Sequence, residues 1–176
     1  MILDITRGIQ NKGIEVHLCL EEKWEKDQWR GDTLTYISPV AFEGSYLITE
    51  DTVVVRGRAK VSIEASCARC LESARLDVAA DIEEAYIRDR NGELNQQRSD
   101  DEQYTYSGHC IDLTDAVRSA LLLELPSRIL CKEDCRGLCP VCGVNLNTTT
   151  CSCQKDPARR NPFSALAELL NEDEEV

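Results

Sequence analysis

The sequence lacks a long apolar run, a basic leader and any surplus of positive charge. No segment approaches the roughly 20 consecutive apolar residues that a transmembrane helix needs, so we expect no membrane partner. Residues 1–8 show no basic start followed by an apolar stretch, which argues against a secretory signal. We therefore expect a cytoplasmic protein. In that reducing environment, clustered cysteines bind metal more often than they form disulfides.

Signatures of catalysis are also missing. The sequence contains no phosphate-binding loop, no glycine fingerprint for a dinucleotide and no nucleophile elbow. Its two histidines, His17 and His109, are isolated, and His17 is expected on a strand face. A catalytic zinc site keeps an open position and usually includes histidine or carboxylate ligands. We therefore expect a protein that is not an enzyme and that takes no small-molecule substrate.

Negative charge dominates the chain. The 176 residues include 32 acidic and 20 basic side chains, which gives a net charge of −12. This balance argues against loose, non-specific binding to nucleic acid, because phosphate affinity comes largely from clustered lysine and arginine. Residues 126–163 are an exception, with six basic and three acidic side chains and a local charge of +3. The basic residues of this segment are Arg128, Lys132, Arg136, Lys155, Arg159 and Arg160.

The first half of the chain alternates apolar and polar residues, the pattern of half-buried strands. Alternation is found over residues 14–20, 53–63 and 76–82, although a helix competes for 72–86. Turns are expected at Ser38–Pro39 and at Phe42–Gly44. The pattern predicts an α+β fold with a curled antiparallel β-sheet or partial barrel, one or two helices and a carboxyl-terminal zinc module. In the strand over 53–63, Arg56, Arg58 and Lys60 form a basic stripe opposite the apolar face.

Two helices and a boundary are predicted further along. Residues 89–109 are polar and are expected to form a surface loop. A helix is predicted over about 112–125, with Asp112 as its N-cap and Pro126 at its end. A second, short helix is expected to start at Asn161 and Pro162. We predict a mainly antiparallel β domain over 1–126 and a zinc-binding module with a short helix over 127–176.

Eight of the ten cysteines form four pairs. Two cysteines a few residues apart supply two corners of a zinc tetrahedron, so two pairs complete a site. The strongest signal is Cys139-Pro-Val-Cys142-Gly143, in which proline stiffens the turn and glycine lets the backbone fold back. The eight predicted ligands are Cys67, Cys70, Cys131, Cys135, Cys139, Cys142, Cys151 and Cys153.

The spacing leaves two partitions of these cysteines open. In one, Cys67, Cys70, Cys131 and Cys135 hold one zinc ion, and Cys139, Cys142, Cys151 and Cys153 hold another. In the other, residues 131–142 provide the only complete site. The first is favoured, so we expect two structural zinc ions. Cys19 and Cys110 are expected to be packing residues.

Three segments resemble the YceD family of large ribosomal RNA subunit accumulation proteins. They are Cys67-Ala-Arg-Cys70-Leu-Glu, Leu123-Glu-Leu-Pro126 and the cysteine-rich stretch 131–147, and residues 156–167 resemble the family's carboxyl terminus. The resemblance implies a protein of bacteria or organelles, cytoplasmic in bacteria, that is needed for normal amounts of 23S ribosomal RNA. It also implies that the second zinc is a structural staple.

The leading hypothesis is a non-enzymatic factor in large-subunit biogenesis. Its expected partners are ribosomal RNA, a large-subunit precursor or a ribosomal protein. The candidate RNA contacts are the six basic residues of 126–163 together with Arg56, Arg58 and Lys60. Two alternatives stay open: a holdase chaperone whose zinc thiolates respond to oxidation, and a zinc-ribbon adaptor between proteins.

Overall fold

The structure is a computed structural model that describes residues 1–89 and 104–153. The chain separates into two compact units, the first spanning Met1–Cys135 and the second beginning at Arg136. Residues 127–135, which follow the sequence-based boundary, thus belong to the first unit. Its helices and strands are β1 (Ile2–Asp4), α1 (Thr6–Gln10), β2 (Val16–Glu22), β3 (Lys26–Trp29), β4 (Asp32–Tyr36), β5 (Val40–Thr49), β6 (Thr52–Ser66), β7 (Ser73–Arg88), β8 (Tyr104–Tyr106), β9 (Cys110–Asp112) and α2 (Thr114–Leu123).

Seven of the strands form one sheet. The antiparallel pairs β2–β5, β5–β6 and β6–β7 make up most of it. β4 pairs with the far end of β6 and with β3, and β8 runs parallel to β7. β1 and β9 form a separate two-stranded sheet. The expected antiparallel sheet is confirmed, and of the two helices, α1 and α2, only α2 corresponds to a predicted one. Among the described residues no pairing closes the sheet into a barrel.

The alternating patterns read in the sequence correspond to β2, β6 and β7. In β6 the side chains of Val53, Val55, Ala59, Val61 and Ile63 are buried, while the basic stripe between them is exposed. Residues 73–88 are a strand, so the helical alternative for 72–86 is wrong. The period of two in the apolar residues favours the strand over the helix, because a strand directs alternate side chains into the core.

The strands β6 and β7 form a long hairpin that carries the first cysteine pair. Their register runs from Thr52 opposite Ile87 to Ser66 opposite Ser73 without interruption. At about 3.3 Å per residue, a strand of 15 residues extends for about 50 Å. The hairpin therefore delivers its turn, residues 67–72, far from its open end.

The expected turn at Phe42–Gly44 is wrong, because these residues lie within β5. Gly44 pairs directly with Gly57 of β6. A Cβ atom at Gly44 would lie 2.1 Å from the carbonyl oxygen of Arg56, and one at Gly57 would lie 2.6 Å from the ring of Phe42. These glycines permit close approach of two strands rather than chain reversal.

Helix α2 packs mainly on β7 through an apolar face that includes Val117 and Leu121. The residue in the N-cap position is Leu113 rather than Asp112. The carboxylate of Asp112 nevertheless accepts the amide hydrogen of Thr114, the first helical residue, at 2.9 Å. The helix ends at Leu123, before Pro126. Neither helix in the described ranges is long and apolar enough to span a membrane.

A buried carboxylate links α2 to the β3–β4 hairpin. The side chain of Asp27 is 8% exposed and accepts two hydrogen bonds from the guanidinium of Arg118. The hydroxyl of Tyr36 donates to the same carboxylate at 3.3 Å. These hydrogen bonds, that from Arg118 above all, hold the pKa of Asp27 below its usual value. Burial, followed by the charge of Asp27, raises the pKa of Tyr36 to about 12.

Three further expectations are corrected or lie outside the described residues. Residues 104–106 form β8 and are not part of a loop, because they extend the sheet beside β7. Cys19 and Cys110 are exposed rather than packed in the core, since both point away from it on edge strands. The helix expected from Asn161 and most of the loop expected over 89–109 lie outside the described residues.

Candidate metal centres

The first tetrad consists of Cys67, Cys70, Cys131 and Cys135, whose four sulfur atoms all lie within 4.8 Å of one another. The Sγ atoms of Cys67 and Cys135 are 3.8 Å apart, and those of Cys70 and Cys131 are 3.6 Å apart. These separations far exceed the ~2.05 Å of a disulfide. A zinc–sulfur bond of about 2.3 Å in tetrahedral geometry gives edges of about 3.8 Å. The tetrad therefore fits a zinc ion.

The β6–β7 hairpin turn supplies one half of this site. The amide of Cys67 donates to the carbonyl oxygen of Glu72 at 2.8 Å, and the amide of Leu71 donates to that of Cys67 at 2.9 Å. Leu71 has a φ of 64°, in the left-handed region, and it is 69% exposed. This conformation turns the chain sharply, so that both sulfur atoms of the turn lie on one side.

The segment 129–135 supplies the other half. It is held against the hairpin turn by a backbone hydrogen bond of 2.8 Å from Ala68 to the carbonyl oxygen of Ile129. The guanidinium of Arg69 also donates to the carbonyl oxygens of Glu133 and Cys135, at 3.2 and 2.8 Å. The first tetrad thus joins two segments some sixty residues apart in sequence. This contact explains why residues 127–135 belong to the first unit.

The second tetrad lies in the second unit and consists of Cys139, Cys142, Cys151 and Cys153, again with all sulfur atoms within 4.8 Å. Its first half repeats the hydrogen bonds of the hairpin turn. The amide of Cys139 donates to the carbonyl oxygen of Val144, and the amide of Gly143 donates to that of Cys139, both at 2.8 Å. Gly143, with a φ of 74°, therefore corresponds to Leu71 in the first tetrad.

A pair of asparagines orders the loop that carries the second half of this tetrad. The Asn145 side-chain oxygen accepts the amide hydrogen of Asn147 at 2.9 Å, and the Asn147 side-chain oxygen accepts that of Arg136 at 2.9 Å. Leu138 and Asn145 form an antiparallel bridge. These contacts explain why two asparagines stand two residues apart here: they bend the chain back so that Cys151 and Cys153 reach the first pair.

The electrostatics of each tetrad favour a cation. Burial alone would raise the pKa of the Cys67 thiol, but the backbone amides of Cys131, Arg69 and Cys70 bring it to about 6. In the second tetrad, the amides of Cys142 and Val141 lower the pKa of Cys139 to about 6.

The neighbouring thiols shift the other way. Burial, and then hydrogen bonding with the other thiols of its tetrad, raises the pKa of Cys131 to about 12. Without a metal, each tetrad would therefore retain protons, because adjacent thiolates repel one another. A zinc ion held by the four cysteines would supply the missing positive charge and would displace those protons.

The two tetrads agree with the favoured partition of the cysteines, in which Cys67 and Cys70 of the hairpin turn share a site with Cys131 and Cys135. Four thiolates and no other ligand are the donor set of structural zinc sites. Arg69 was not anticipated from the sequence, although its position between Cys67 and Cys70 was a signal. Side chains beside a metal ligand commonly fix the geometry of the ligand.

The candidate RNA contacts lie in several places. Arg56 and Arg58 are exposed on the outer face of the sheet and form ion pairs with Glu83 and Asp81, at 2.7 and 3.4 Å. Lys60 is exposed on the same strand. These contacts stay a prediction, but two of the three cations already have carboxylate partners.

The remaining candidates follow α2. Arg128 and Lys132 are exposed in the first unit, and Lys132 lies 3.8 Å from Asp134. Arg136 is exposed in the second unit. The other predicted contacts, Lys155, Arg159 and Arg160, lie outside the described residues.

Comparison with known proteins identifies the family. The family model described as large ribosomal RNA subunit accumulation protein YceD matches residues 55–170. An uncharacterized protein of Mycobacterium tuberculosis is 34% identical over 94 residues, which are 53% of this chain and 45% of that protein. No solved structure matches the chain.

Two plant proteins are also similar. Both are named large ribosomal RNA subunit accumulation protein YCED homolog 1, chloroplastic. The one from Zea mays is 42% identical over 45 residues, 25% of this chain and 15% of that protein. The one from Arabidopsis thaliana is 30% identical over 66 residues, 36% of this chain and 21% of that protein. The chain thus spans less than half the length of these relatives. Because the family match covers well over half of the chain and includes both tetrads, the chain belongs to the YceD family.

Proposed function

We propose that this protein is a non-enzymatic, cytoplasmic factor in the assembly of a bacterial large ribosomal subunit, and that it binds 23S ribosomal RNA or a particle containing it. The observation that carries the proposal is the family match over 55–170, a range that includes the two tetrads. The plant relatives are named for accumulation of large-subunit ribosomal RNA. The coarser conclusion, a role in ribosome biogenesis, rests on the family itself.

The two tetrads support a structural role for zinc. The site in the first unit ties the tip of a long hairpin to a segment that has little regular secondary structure. Structural zinc sites contribute on the order of 10 kcal/mol to folding, enough to order such a segment. We therefore propose that two zinc ions per chain hold exposed cations at fixed positions. Rigid placement reduces the entropy that is lost when those side chains bind phosphate.

The cations beside the tetrads, Arg128, Lys132 and Arg136, are better candidates for RNA contact than the basic stripe on β6. Acidic side chains of β7 flank that stripe on the same face of the sheet, among them Glu83 and Asp81. An approaching phosphate would meet these carboxylates as well as the cations.

Two triple variants with the same net charge test this proposal. R128Q/K132Q/R136Q removes three cations beside the tetrads, and R56Q/R58Q/K60Q removes three from the stripe. The measurement is the affinity of the zinc-loaded chain for 23S RNA at several salt concentrations. Each lost phosphate contact should reduce the slope of log affinity against log salt by about 0.7–0.9. We expect the first variant to lose roughly 2 from this slope and the second to resemble the unmodified chain.

Other results would contradict the proposal in distinguishable ways. Equal loss in both variants would show that net charge alone matters. If the unmodified chain binds neither RNA nor precursor particles, direct contact with ribosomal RNA is excluded. Zinc analysis of chain purified without chelator should give about two ions per chain, and a value near zero would overturn the structural role of the tetrads.

A redox-controlled chaperone is the second candidate, because each tetrad includes an exposed cysteine, Cys131 in the first and Cys142 in the second. Exposed zinc thiolates are accessible to peroxide, which would convert two thiolates into a disulfide, be reduced to water and release the metal. Reversible zinc release at micromolar peroxide, together with suppressed aggregation of an unfolded client, would support this function. Retention of zinc under those conditions would exclude it.

A further inference from the structure

A concave pocket of about 250 Å³ lies in the second unit, beside the second tetrad. Its lining includes Pro140, Val141 and Leu146, together with Arg136. The side chain of Val141 is 64% exposed, although nothing in the tetrad requires an apolar residue between the two cysteines. The pocket is smaller than the roughly 300–1,000 Å³ of sites for drug-sized ligands. It has room for one planar ring system.

The residues that line the pocket include both an anionic and a cationic group. Its lining includes three cysteines of the tetrad, Cys139, Cys151 and Cys153, and four thiolates around one zinc ion would carry a formal charge of −2. Such a surface repels a phosphate group and attracts N–H donors. Arg136 is the single charged residue in the sequence from 136 to 153. No carboxylate from this stretch competes with a phosphate that approaches Arg136.

We propose that this pocket binds one unstacked nucleobase of single-stranded ribosomal RNA, while Arg136 contacts an adjacent phosphate. A base is neutral and flat, and it presents N–H groups at its edge, so it matches apolar walls and an anionic lining. Proteins that bind single-stranded RNA commonly hold splayed bases against side-chain surfaces in this way. The inference rests on the proposed function, and it adds that the RNA is contacted at an unpaired position.

The structure also argues against duplex RNA as the ligand of this pocket. In a duplex the bases are stacked, and only their edges are accessible in a shallow groove. A base can place its ring in a concave pocket lined by Pro140, Val141 and Leu146 only after it has left the stack. Contact through Arg136 alone would give affinity without any dependence on the bases.

The test compares two probes with the zinc-loaded full chain. One is a ten-nucleotide oligoadenylate, and the other is a ribose-phosphate oligomer of the same length without bases. Burial of about 40 Å² of apolar base surface against the pocket walls is worth about fivefold in affinity. We expect oligoadenylate to bind at least fivefold more tightly than the abasic oligomer. Amide chemical-shift changes in nuclear magnetic resonance spectra should centre on residues 136–150.

Three variants locate the effect. Val141→Ser removes an apolar wall, and we expect it to abolish the preference for oligoadenylate without changing the salt dependence. Leu123→Ser is the matched control, because Leu123 is 84% exposed in the first unit, and it should retain the preference. Arg136→Gln should instead lower the affinity for both probes and reduce the salt slope by about 0.7.

The failures are distinguishable. Equal binding of both probes by the unmodified chain would overturn the base pocket and leave the proposed function intact. If the unmodified chain binds neither probe and does not bind 23S RNA, both the base pocket and the proposed function are wrong. If Val141→Ser keeps the base preference but loses ribonuclease-resistant binding to large-subunit precursors, the pocket holds a protein segment, and the proposal is wrong.

Discussion

Glycine at position 71 is expected to give a more stable protein than alanine at the same position, the reverse of the usual order. Leu71 holds a φ of 64°, which costs an L-amino acid roughly 1–2 kcal/mol relative to glycine. Glycine in turn loses about 0.5–1 kcal/mol more backbone entropy on folding. Both substitutions delete the leucine side chain, so its contacts cancel in the comparison. The difference in the free energy of unfolding should be about 0.5–1 kcal/mol in favour of Leu71→Gly.

The assay is urea unfolding of the zinc-loaded chain, followed by the fluorescence of Trp24 and Trp29, which both lie in the first unit. Leu123 provides the control, since it is an exposed leucine at the end of helix α2. There, alanine should be more stable than glycine, because a helical φ suits both and entropy decides.

The equivalent position in the second tetrad gives a reciprocal test. Gly143→Ala should impose the cost that Leu71→Gly relieves, because Gly143 has a φ of 74° in the same turn. The affinity of that tetrad for zinc, measured by competition with a chelator, should then fall about two- to fivefold. If Leu71→Ala proves as stable as Leu71→Gly, or more so, the left-handed conformation of Leu71 carries no cost, and the equivalence of the two turns is refuted.

Three further predictions concern contacts that the structure places in the first unit. The buried hydroxyl of Tyr86 has no hydrogen-bond partner in the described ranges, so Tyr86→Phe should be neutral or stabilise by up to about 1 kcal/mol in urea unfolding. Tyr46→Phe should instead cost about 1 kcal/mol, because that hydroxyl accepts a backbone amide hydrogen at 3.2 Å. Asp27→Asn should destabilise by about 2 kcal/mol at pH 7, since it weakens charged hydrogen bonds to a guanidinium. The pKa of Asp27 is lowered in the folded protein. The contribution of Asp27 to the free energy of unfolding is therefore complete above about pH 4 and is lost as the pH falls through the folded pKa. If Asp27→Asn destabilises the protein as much at pH 2 as at pH 7, this reasoning is wrong. Arg69→Gln should weaken zinc binding about tenfold in chelator competition, while Arg75→Gln, which removes an exposed cation of the same hairpin, should leave it unchanged.

The strands and the cysteine turns could be predicted from the sequence because their determinants are local. A period of two sends alternate side chains to one face, and this pattern located β6 and β7 and placed the basic stripe on the exposed side. Spacing alone likewise identified the turn of Cys139, Cys142 and Gly143, since two ligands and the residue that reverses the chain lie within five positions.

Local patterns misled where a residue type has more than one use. Glycine at position 44 indicates a turn in isolation, but opposite Gly57 it permits two strands to approach closely. Leu71 carries no turn signal at all, although it occupies the position that glycine fills in the second tetrad. The exposure of Cys19 and Cys110 depends on the sheet edge to which each strand belongs, and composition does not report that.

Contacts between distant segments were decided by the tertiary structure alone. The choice between the two cysteine partitions depended on where the hairpin of the 15-residue strand β6 and its partner β7 turns, relative to the chain that follows helix α2. The ion pair of Asp27 and Arg118 joins residues 91 positions apart, and no local sequence pattern around either residue predicts this pairing. Sequence periodicity specifies which face of an element is buried, but the partner of that face is set by the packing of the whole sheet and helix. For this chain, packing brought Cys67 and Cys70 to Cys131 and Cys135 and so completed the first tetrad.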